Sequence, residues 1–295
     1  MTGPAHNPGL ARGRTMIFGA ALLWSMAGIL TRLVETDSWT LTFWRSSIGG
    51  LFLLAAVAVQ GRGLLARFRA LSPVGWFLGI WMGIETVCFI LAFTHTTIAK
   101  ALIIIAINPL LAAFAGWLVL RERIAGHTVL ALVATFGGVA YMVWGQFGGG
   151  SGFGDLMALT VAGMFAVVIV TIRRFGDIDL LPAMVVAGAT GALLVLPWAH
   201  PFSVSLADAG YLALFGCGEF GLSLVLFTAG ARLVPTVEVA LLGLVESALA
   251  PLWVWFAVGE EPGERALIGG AVVLIALLLY TLVDWRRTRL VPPLP

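Results

Sequence analysis

The sequence predicts an all-α integral membrane protein with ten transmembrane helices, arranged as two inverted repeats of five helices each. Three observations support this fold class: an apolar composition, ten helix-length apolar segments, and a glycine-rich linker that separates five of them from the other five. Because five is an odd number, the second half would enter the membrane from the side opposite to the first.

The composition indicates that the solvent of this chain is lipid. Hydrophobic residues make up 60% and charged residues 11%, and the mean hydropathy is +1.02, whereas soluble domains have about 25% charged residues. The net charge of +2 does not favour a nucleic-acid partner. Cys88 and Cys217 both lie in apolar segments, so no disulfide framework is indicated.

Helix-length apolar segments occur along the whole chain. A hydrocarbon core of about 30 Å requires about 20 apolar residues per helix, and continuous apolar runs without alternation favour helices over a barrel. The predicted spans are 15–33, 39–59, 73–93, 97–120, 126–145, 154–172, 180–199, 207–230, 234–258 and 266–284.

The arginines predict the orientation in the membrane. With a cytoplasmic N-terminus, most of the basic residues fall in inner segments: Arg12, Arg14, Arg62, Arg67, Arg69, Arg121, Arg123, Arg173, Arg174, Arg232, Arg286, Arg287 and Arg289. The outer segments would then hold Arg32, Lys100 and Arg265, while Arg45 lies inside the second span. This positive-inside bias predicts a multi-pass protein of the cell inner membrane with both termini in the cytoplasm.

The glycine-rich linker defines two halves. We assign residues 1–145 to the first repeat, 146–153 to an exterior linker and 154–295 to the second, inverted repeat. Arg121-Glu122-Arg123 ends span four on the predicted inner side, whereas its counterpart in span nine, Gly259-Glu260-Glu261, is acidic and predicted to be outside. Opposite loop charge on counterpart segments is expected of an inverted-topology repeat.

Span four contains Asn108-Pro109 near its middle. Proline inside a membrane helix removes a backbone hydrogen bond and predicts an interruption there. The counterpart segment in span nine has Glu246-Ser247 at this place and Pro251 one turn later, where a break is also possible. We therefore expect Asn108 and Glu246 to face one mid-membrane cavity from opposite halves.

The chain has ten predicted spans in two halves and contains the segments ALLWSMAGILTRL, FWRSSIGGLFLL, NPLLAAFAGWLVLRER and VESALAPLWVWFAVGEE. In these features it resembles the EamA-type transporters of the drug/metabolite transporter superfamily. Within that family it looks most like YddG-type exporters of aromatic amino acids and related compounds. Ser247 departs from the pattern, which usually has proline there. The resemblance implies that spans one, three, four, six, eight and nine line a central cavity.

Four polar residues fall near the predicted middle of the bilayer: Glu85, Glu219, Glu246 and Asn108. Each buried charge there costs roughly 2.5–3.5 kcal/mol, so such residues are candidate functional groups. The three carboxyl groups could bind a substrate ammonium group, or one could exchange a proton during transport. Alternatively, they cap neighbouring helices or are simply protonated.

Further candidates complete the predicted site. Trp24 and Trp81 could stack on a solute, and Ser25 and His95 are added as substrate contacts, although His95 is also typical of a hydrogen-bonded loop residue. The predicted gating residues are Lys100, Glu238, Pro109 and Pro251. For Lys100 and Glu238 the alternative is that their side chains extend to the two membrane interfaces. Arg45 either pairs within the bundle or extends outward.

The sequence therefore predicts a secondary transporter that exports amino acids, aromatic ones included, or related small metabolites by alternating access. The alternatives are an exporter of drugs or cationic metabolites and, from other classes, a channel or a lipid-acting membrane enzyme. No enzyme motif is convincing, because Ser151 and Asp155 match protease strings only through the glycine-rich linker, taken as an exterior loop. We expect no cofactor or metal, a small-molecule substrate, contacts with lipid, and a monomer or weak dimer.

Overall fold

The computed structural model describes residues 8–60, 63–121, 126–144, 152–176, 178–234, 236–261 and 263–290. Within these residues every regular secondary-structure element is a helix, and no strand occurs. The helices, numbered in chain order, are α1 (Pro8–Ser25), α2 (Ala27–Leu33), α3 (Ser38–Val59), α4 (Leu64–Arg69), α5 (Pro73–His95), α6 (Ile98–Ile105), α7 (Asn108–Leu120), α8 (Gly126–Val143), α9 (Gly152–Phe175), α10 (Leu180–Val195), α11 (Leu206–Ala213), α12 (Ser223–Gly230), α13 (Thr236–Val258) and α14 (Glu264–Leu290). A 3₁₀ turn spans Pro201–Ser203, and a π-helix over Leu214–Leu222, called the π segment below, joins α11 to α12.

The all-α prediction is confirmed for the described residues, and the chain is a multi-pass membrane protein. In the part of the chain that the structure describes, six helical segments are long and apolar enough to cross a bilayer: Gly9–Leu33, Ser38–Val59, Pro73–His95, Ile98–Leu120, Gly152–Phe175 and Leu206–Gly230. Shorter apolar helices cover Gly126–Tyr141, Leu180–Val195 and Leu249–Val258. Large apolar side chains such as Leu51, Leu130, Leu193 and Phe256 are exposed on the outside of the bundle, as expected of a surface that contacts lipid.

Helices from the two sides of the glycine-rich linker pack against each other rather than forming separate bundles. α3 packs on α10 and on the π segment, α5 on both α9 and α10, and α8 on α14. α1 packs on α12 and α13, while α9 packs on α6 and α7 and α2 packs on α13. Gly79 and Gly83 of α5 lie directly against the backbone of α10, where a Cβ atom would not fit. The bundle is therefore held together by contacts between its halves.

Three of the long segments are interrupted where they pass through the bundle. Met26 separates α1 from α2, and Ala106 and Ile107 separate α6 from α7. Pro109 stands in the first turn of α7, so the break predicted at Asn108-Pro109 is confirmed. The π segment is the third irregularity, and such segments are frequent at functional sites.

Two boundary predictions need correction. α13 continues without a break from Thr236 to Val258 with Pro251 inside it, so Pro251 does not supply the predicted interruption. α9 already begins at Gly152, so residues 152 and 153 are helical instead of belonging to the linker. Ser151 and Glu122 lie outside the described residues.

Asp37 begins α3 with a carboxylate cap. It accepts hydrogen bonds from the Trp39 N–H at 2.9 Å and the Thr40 N–H at 3.0 Å, and the Thr40 hydroxyl donates to it at 2.6 Å. Burial by itself would raise the pKa of Asp37, but the hydrogen bonds from Thr40 and Trp39 and the charge of His200 lower the pKa below its ordinary value of 3.8. The ionised form is thus the one that the fold stabilises.

We expect Asp37→Ala to lower the free energy of unfolding by about 1 kcal/mol through loss of the cap. The matched variant Asp37→Asn keeps an acceptor for the N–H groups and should lose much less. Because the folded pKa is lowered, the contribution of the charge is present above pH 3.8 and is lost as the pH falls below that value. Unfolding in detergent as a function of pH measures both effects, and an acid loss of equal size in Asp37→Asn would contradict this role.

Candidate functional site

A cavity of about 190 Å³ lies in the centre of the bundle. Its wall is built by helices from both halves, and several of its polar residues are charged or amide side chains. The lining residues are Trp24, Arg45, Met82, Glu85, Thr86, Phe89, Ile105, Asn108, Val161, Phe165, Met184, Ala187, Glu219, Phe220, Leu224 and Glu246.

The cavity brings together five of the predicted substrate contacts: Glu246, Asn108, Glu85, Glu219 and Trp24. Asn108 is the first residue of α7, so the break in span four turns its side chain toward the bundle axis. Glu246 reaches the same cavity from the uninterrupted α13, and Glu85 from α5. Among the described residues, these carboxylates do not form a cluster of three that could hold a metal ion.

Glu219 forms a buried ion pair with Arg45. The Arg45 Nε atom donates to one Glu219 oxygen at 2.9 Å and the Nη2 atom donates to the other at 3.0 Å. The side chains are only 7% and 3% exposed. Gly49 on α3 and Gly216 on the π segment leave no room for Cβ atoms between these elements, and this close approach lets a side-on pair form.

Aromatic rings surround the Arg45 guanidinium. Its Cζ atom lies 5.3 Å from the ring centroid of Phe89, 5.1 Å from that of Phe215 and 4.8 Å from that of Phe220. The remaining nitrogen, Nη1, is buried and has no hydrogen-bond partner among the described residues. The cavity therefore contains a fixed cation with one unused donor group.

Trp81 and Ser25 do not line the cavity, which leaves their predicted substrate contacts without geometric support. The Trp81 indole N–H donates to the Met164 carbonyl at 3.0 Å and so ties α5 to α9. Ser25 is fully buried; its hydroxyl donates to the Leu22 carbonyl at 2.7 Å and accepts from the Trp253 indole at 3.0 Å. Both side chains hold helices together.

His95 lines a separate, larger pocket of about 540 Å³. This pocket also contains Arg32, Asp37 and Trp39. The His95 Nδ1 atom lies 2.9 Å from the Leu91 carbonyl, and the ring meets Phe153 edge-on with centroids 5.1 Å apart. We call this part of the molecule the Arg32 end of the bundle; it contains Arg32, residues 95–100, Asp155 and Glu260.

Arg32 connects the two halves at the Arg32 end. Its Nε atom pairs with Glu260 at 2.6 Å, and its two Nη atoms donate to the carbonyls of Phe93 at 2.8 Å and Thr96 at 3.0 Å. The second Glu260 oxygen accepts from the Ile98 N–H at 2.8 Å. Glu260 thus serves as a cap for α6 and as a partner for Arg32 at the same time.

Lys100 forms a second connection at this end, deeper in the protein. Its Nζ atom lies 2.5 Å from Asp155 in the first turn of α9, and the Thr96 hydroxyl donates to the other Asp155 oxygen at 2.8 Å. The side chains of Lys100 and Asp155 are 5% and 6% exposed. The alternative that Lys100 extends to an interface is therefore wrong, and Asp155 is a buried helical residue rather than part of an exterior loop.

The structure describes the remaining predicted gating residues, Glu238, Pro109 and Pro251, only in part. Glu238 lies in the first turn of α13, but its side chain is outside the described residues, as is that of Pro109. Pro251 is half-buried within the continuous α13.

The sequence analysis named Glu219 as a substrate contact and allowed Arg45 to pair within the bundle, but it did not identify the pairs Arg45–Glu219, Arg32–Glu260 and Lys100–Asp155. A signal did exist, because an unpaired charge inside a membrane span is costly and each of these basic residues therefore needs an acid nearby. Which acid is chosen depends on helix neighbours, and the sequence does not give these.

Comparison with known proteins places the chain among membrane transporters. Residues 11–144 and 152–282 match the EamA-like transporter family. The uncharacterized transporter YojE of Bacillus subtilis is 28% identical over 237 residues, which are 76% of this chain and 74% of YojE. An uncharacterized transporter of Pseudomonas aeruginosa is 27% identical over 244 residues, 77% of this chain and 75% of the relative.

One more relative and one solved structure match nearly all of the chain. An uncharacterized transporter of Archaeoglobus fulgidus is 25% identical over 299 residues, 93% of this chain and 97% of the relative. A protein of known crystal structure superimposes with a TM-score of 0.68 at 22% identity, covering 92% of this chain and 98% of the other. That structural likeness shows a shared fold.

Lys100→Met should lower the free energy of unfolding by about 3–5 kcal/mol, because it leaves Asp155 buried without its cation. The double variant Lys100→Met/Asp155→Leu removes both charges and should recover most of this loss. Unfolding in detergent, followed by tryptophan fluorescence, measures the difference. If Lys100→Met were as stable as the wild type, the ion pair would not hold this end of the bundle.

Proposed function

Because the chain belongs to the EamA-like transporter family, we propose that it is a secondary transporter for amino acids, aromatic ones included, or closely related small metabolites. Its relatives are named as transporters, and the substrate class is our inference from the cavity. The observation that carries the proposal is a central cavity in which carboxyl groups, a guanidinium and aromatic rings face the same space. This combination suits a small solute with an ammonium group and an apolar side chain.

Within this cavity we assign substrate contacts to Glu246, Glu85, Asn108 and Trp24. A carboxylate in low dielectric attracts an ammonium group much more strongly than it would in water. Trp24 and Phe165 offer aromatic surface to an apolar side chain. Glu219 is already engaged by Arg45, so its direct role is to hold that arginine in place.

We further propose ten transmembrane helices in two inverted five-helix halves. The packing supports this arrangement. When each helix is replaced by its counterpart in the other half, a helix–helix contact of the structure becomes another contact that the structure also has. The α3–α10 and α8–α14 contacts each join counterpart helices. The contact between α5 and α9 corresponds to the contact between α12 and α1, and the contact between α7 and α9 corresponds to that between α13 and α1. The contact between α5 and α10 corresponds to that between the π segment and α3. Both halves also match the same family.

Alternating access then requires the Arg32 end to open and close. In the present structure the Arg32–Glu260 and Lys100–Asp155 pairs join the first half to the second there. The arginine bias of the loops predicts that this end faces the exterior, that both termini are cytoplasmic and that the membrane is the cell inner membrane. With that orientation, the structure corresponds to a carrier that is closed to the outside; export from the cytoplasm is the direction that we propose.

An exporter of drugs or cationic metabolites is the second candidate, and the carboxyl groups of the cavity favour it. A channel would instead conduct without saturation.

The test is counterflow in proteoliposomes, screened across amino acids with and without a pH gradient. We expect saturable exchange of at least one amino acid, reduced about tenfold or more in Glu246→Gln because a charged hydrogen bond to the substrate is lost. Asp179→Asn, which removes a carboxylate at 41% exposure outside the cavity, is the control and should exchange normally. Absence of exchange with every amino acid would discard the substrate class, and unchanged rate and affinity in Glu246→Gln would discard its role.

The proposed opening of the Arg32 end can be tested by locking it. In a background with Cys88→Ala and Cys217→Ala, Arg32→Cys/Glu260→Cys can be bridged with a short, reducible bifunctional thiol reagent. Exchange should stop after bridging and return after reduction, whereas each single cysteine variant treated in the same way should be unaffected by the bridge. Exchange that continues at the unbridged rate would contradict alternating access through this end.

A further inference from the structure

The Arg45 guanidinium carries a donor that the protein does not use. Its Nε and Nη2 atoms are engaged by both oxygens of Glu219, whereas Nη1 is buried and lacks a partner among the described residues. An unsatisfied buried donor on a charged group is more costly than a neutral one. Such a donor in a folded protein requires a hydrogen-bond acceptor.

The surroundings of Arg45 restrict where this acceptor can come from. Glu219 occupies one edge of the guanidinium, and the rings of Phe89, Phe215 and Phe220 stand around it at 4.8–5.3 Å. Arg45 is also one of the residues that line the central cavity. An acceptor for Nη1 can therefore be delivered by a solute in that cavity.

We propose that Nη1 of Arg45 binds the carboxylate of the transported solute and that this contact selects amino acids over amines and amides. The inference rests on the proposed transport function and sharpens its substrate class. Glu219 acts here as a positioning residue, since its side-on pair fixes the plane of the guanidinium and leaves a single nitrogen for the substrate.

The cavity provides complementary partners for both charges of such a solute. Arg45 comes from the first half, while Glu246 comes from α13 in the second half, and Glu85 and Asn108 complete the polar wall. A zwitterion can thus be held between a cation and a carboxyl group, with its side chain against the aromatic residues. A solute without a carboxylate leaves Nη1 unsatisfied, which is the physical basis for its rejection.

The first experiment uses the wild-type protein alone. Counterflow of the best-exchanged amino acid is compared with that of its α-carboxamide, which keeps the ammonium group and the side chain but removes the carboxylate. We expect exchange of the acid to exceed that of the amide by about tenfold or more. Equal exchange of the two compounds overturns the proposal, whereas absence of exchange with every amino acid screened refutes the proposed substrate class on which it rests.

The second experiment compares variants by the ratio of acid to amide exchange. Arg45→Lys keeps a charge but replaces the planar fork by a single point donor, and Arg45→Gln/Glu219→Gln replaces the ion pair by a neutral one without leaving a buried charge. In both, the acid-to-amide ratio should fall by about tenfold. Arg67→Lys, which alters an arginine paired with Asp179 outside the cavity, is the matched control and should keep the wild-type ratio.

The ratio distinguishes substrate recognition from a purely structural role. A variant that is merely misfolded or loosely packed loses exchange of acid and amide together, and its ratio stays at the wild-type value. An unchanged ratio in well-folded Arg45→Lys overturns the proposal. If the double variant does not fold, Arg45→Lys and the wild-type comparison still decide the question.

Discussion

The absence of hydrogen-bond partners in lipid is the constraint on which this structure depends. Every charged group inside the bundle has to be satisfied by the protein itself or by a solute. Arg45, Lys100 and Arg32 meet this requirement by pairing with Glu219, Asp155 and Glu260, and each pair joins the first half of the chain to the second. The ion pairs that neutralise these buried charges therefore also hold the two halves together.

The Arg32–Glu260 pair is more exposed than the Arg45–Glu219 and Lys100–Asp155 pairs, and this difference affects what it can do. The Arg32–Glu260 pair is 25% and 21% exposed and bonds mainly to helix ends, so water can replace its contacts when this end separates. The Arg45–Glu219 pair is almost fully buried between α3 and the π segment and surrounded by rings, which favours a fixed element of the cavity wall. The Arg32–Glu260 pair is thus expected to separate readily, whereas the surroundings of Arg45 are expected to stay rigid.

Helix irregularities bring the polar residues of the cavity to their positions. The break before Asn108 starts α7 at the cavity, and the π segment adds a residue per turn and carries Glu219 toward Arg45. α13 needs no break, because Glu246 already lies on its cavity side. The two counterpart segments therefore place their polar residues in one cavity by different local geometries.

The sequence by itself determined the helical class and most helix boundaries within a few residues, and it singled out Asn108, Glu85, Glu219 and Glu246, which line one cavity. Apolar length and the cost of intramembrane charge are local properties that can be counted along the chain. Only the tertiary structure decided that Asp155 pairs with Lys100, that Trp81 and Ser25 face neighbouring helices, and that Nη1 of Arg45 finds no partner among the described residues. These outcomes depend on which helix faces meet, and that is fixed by packing between residues far apart in the chain.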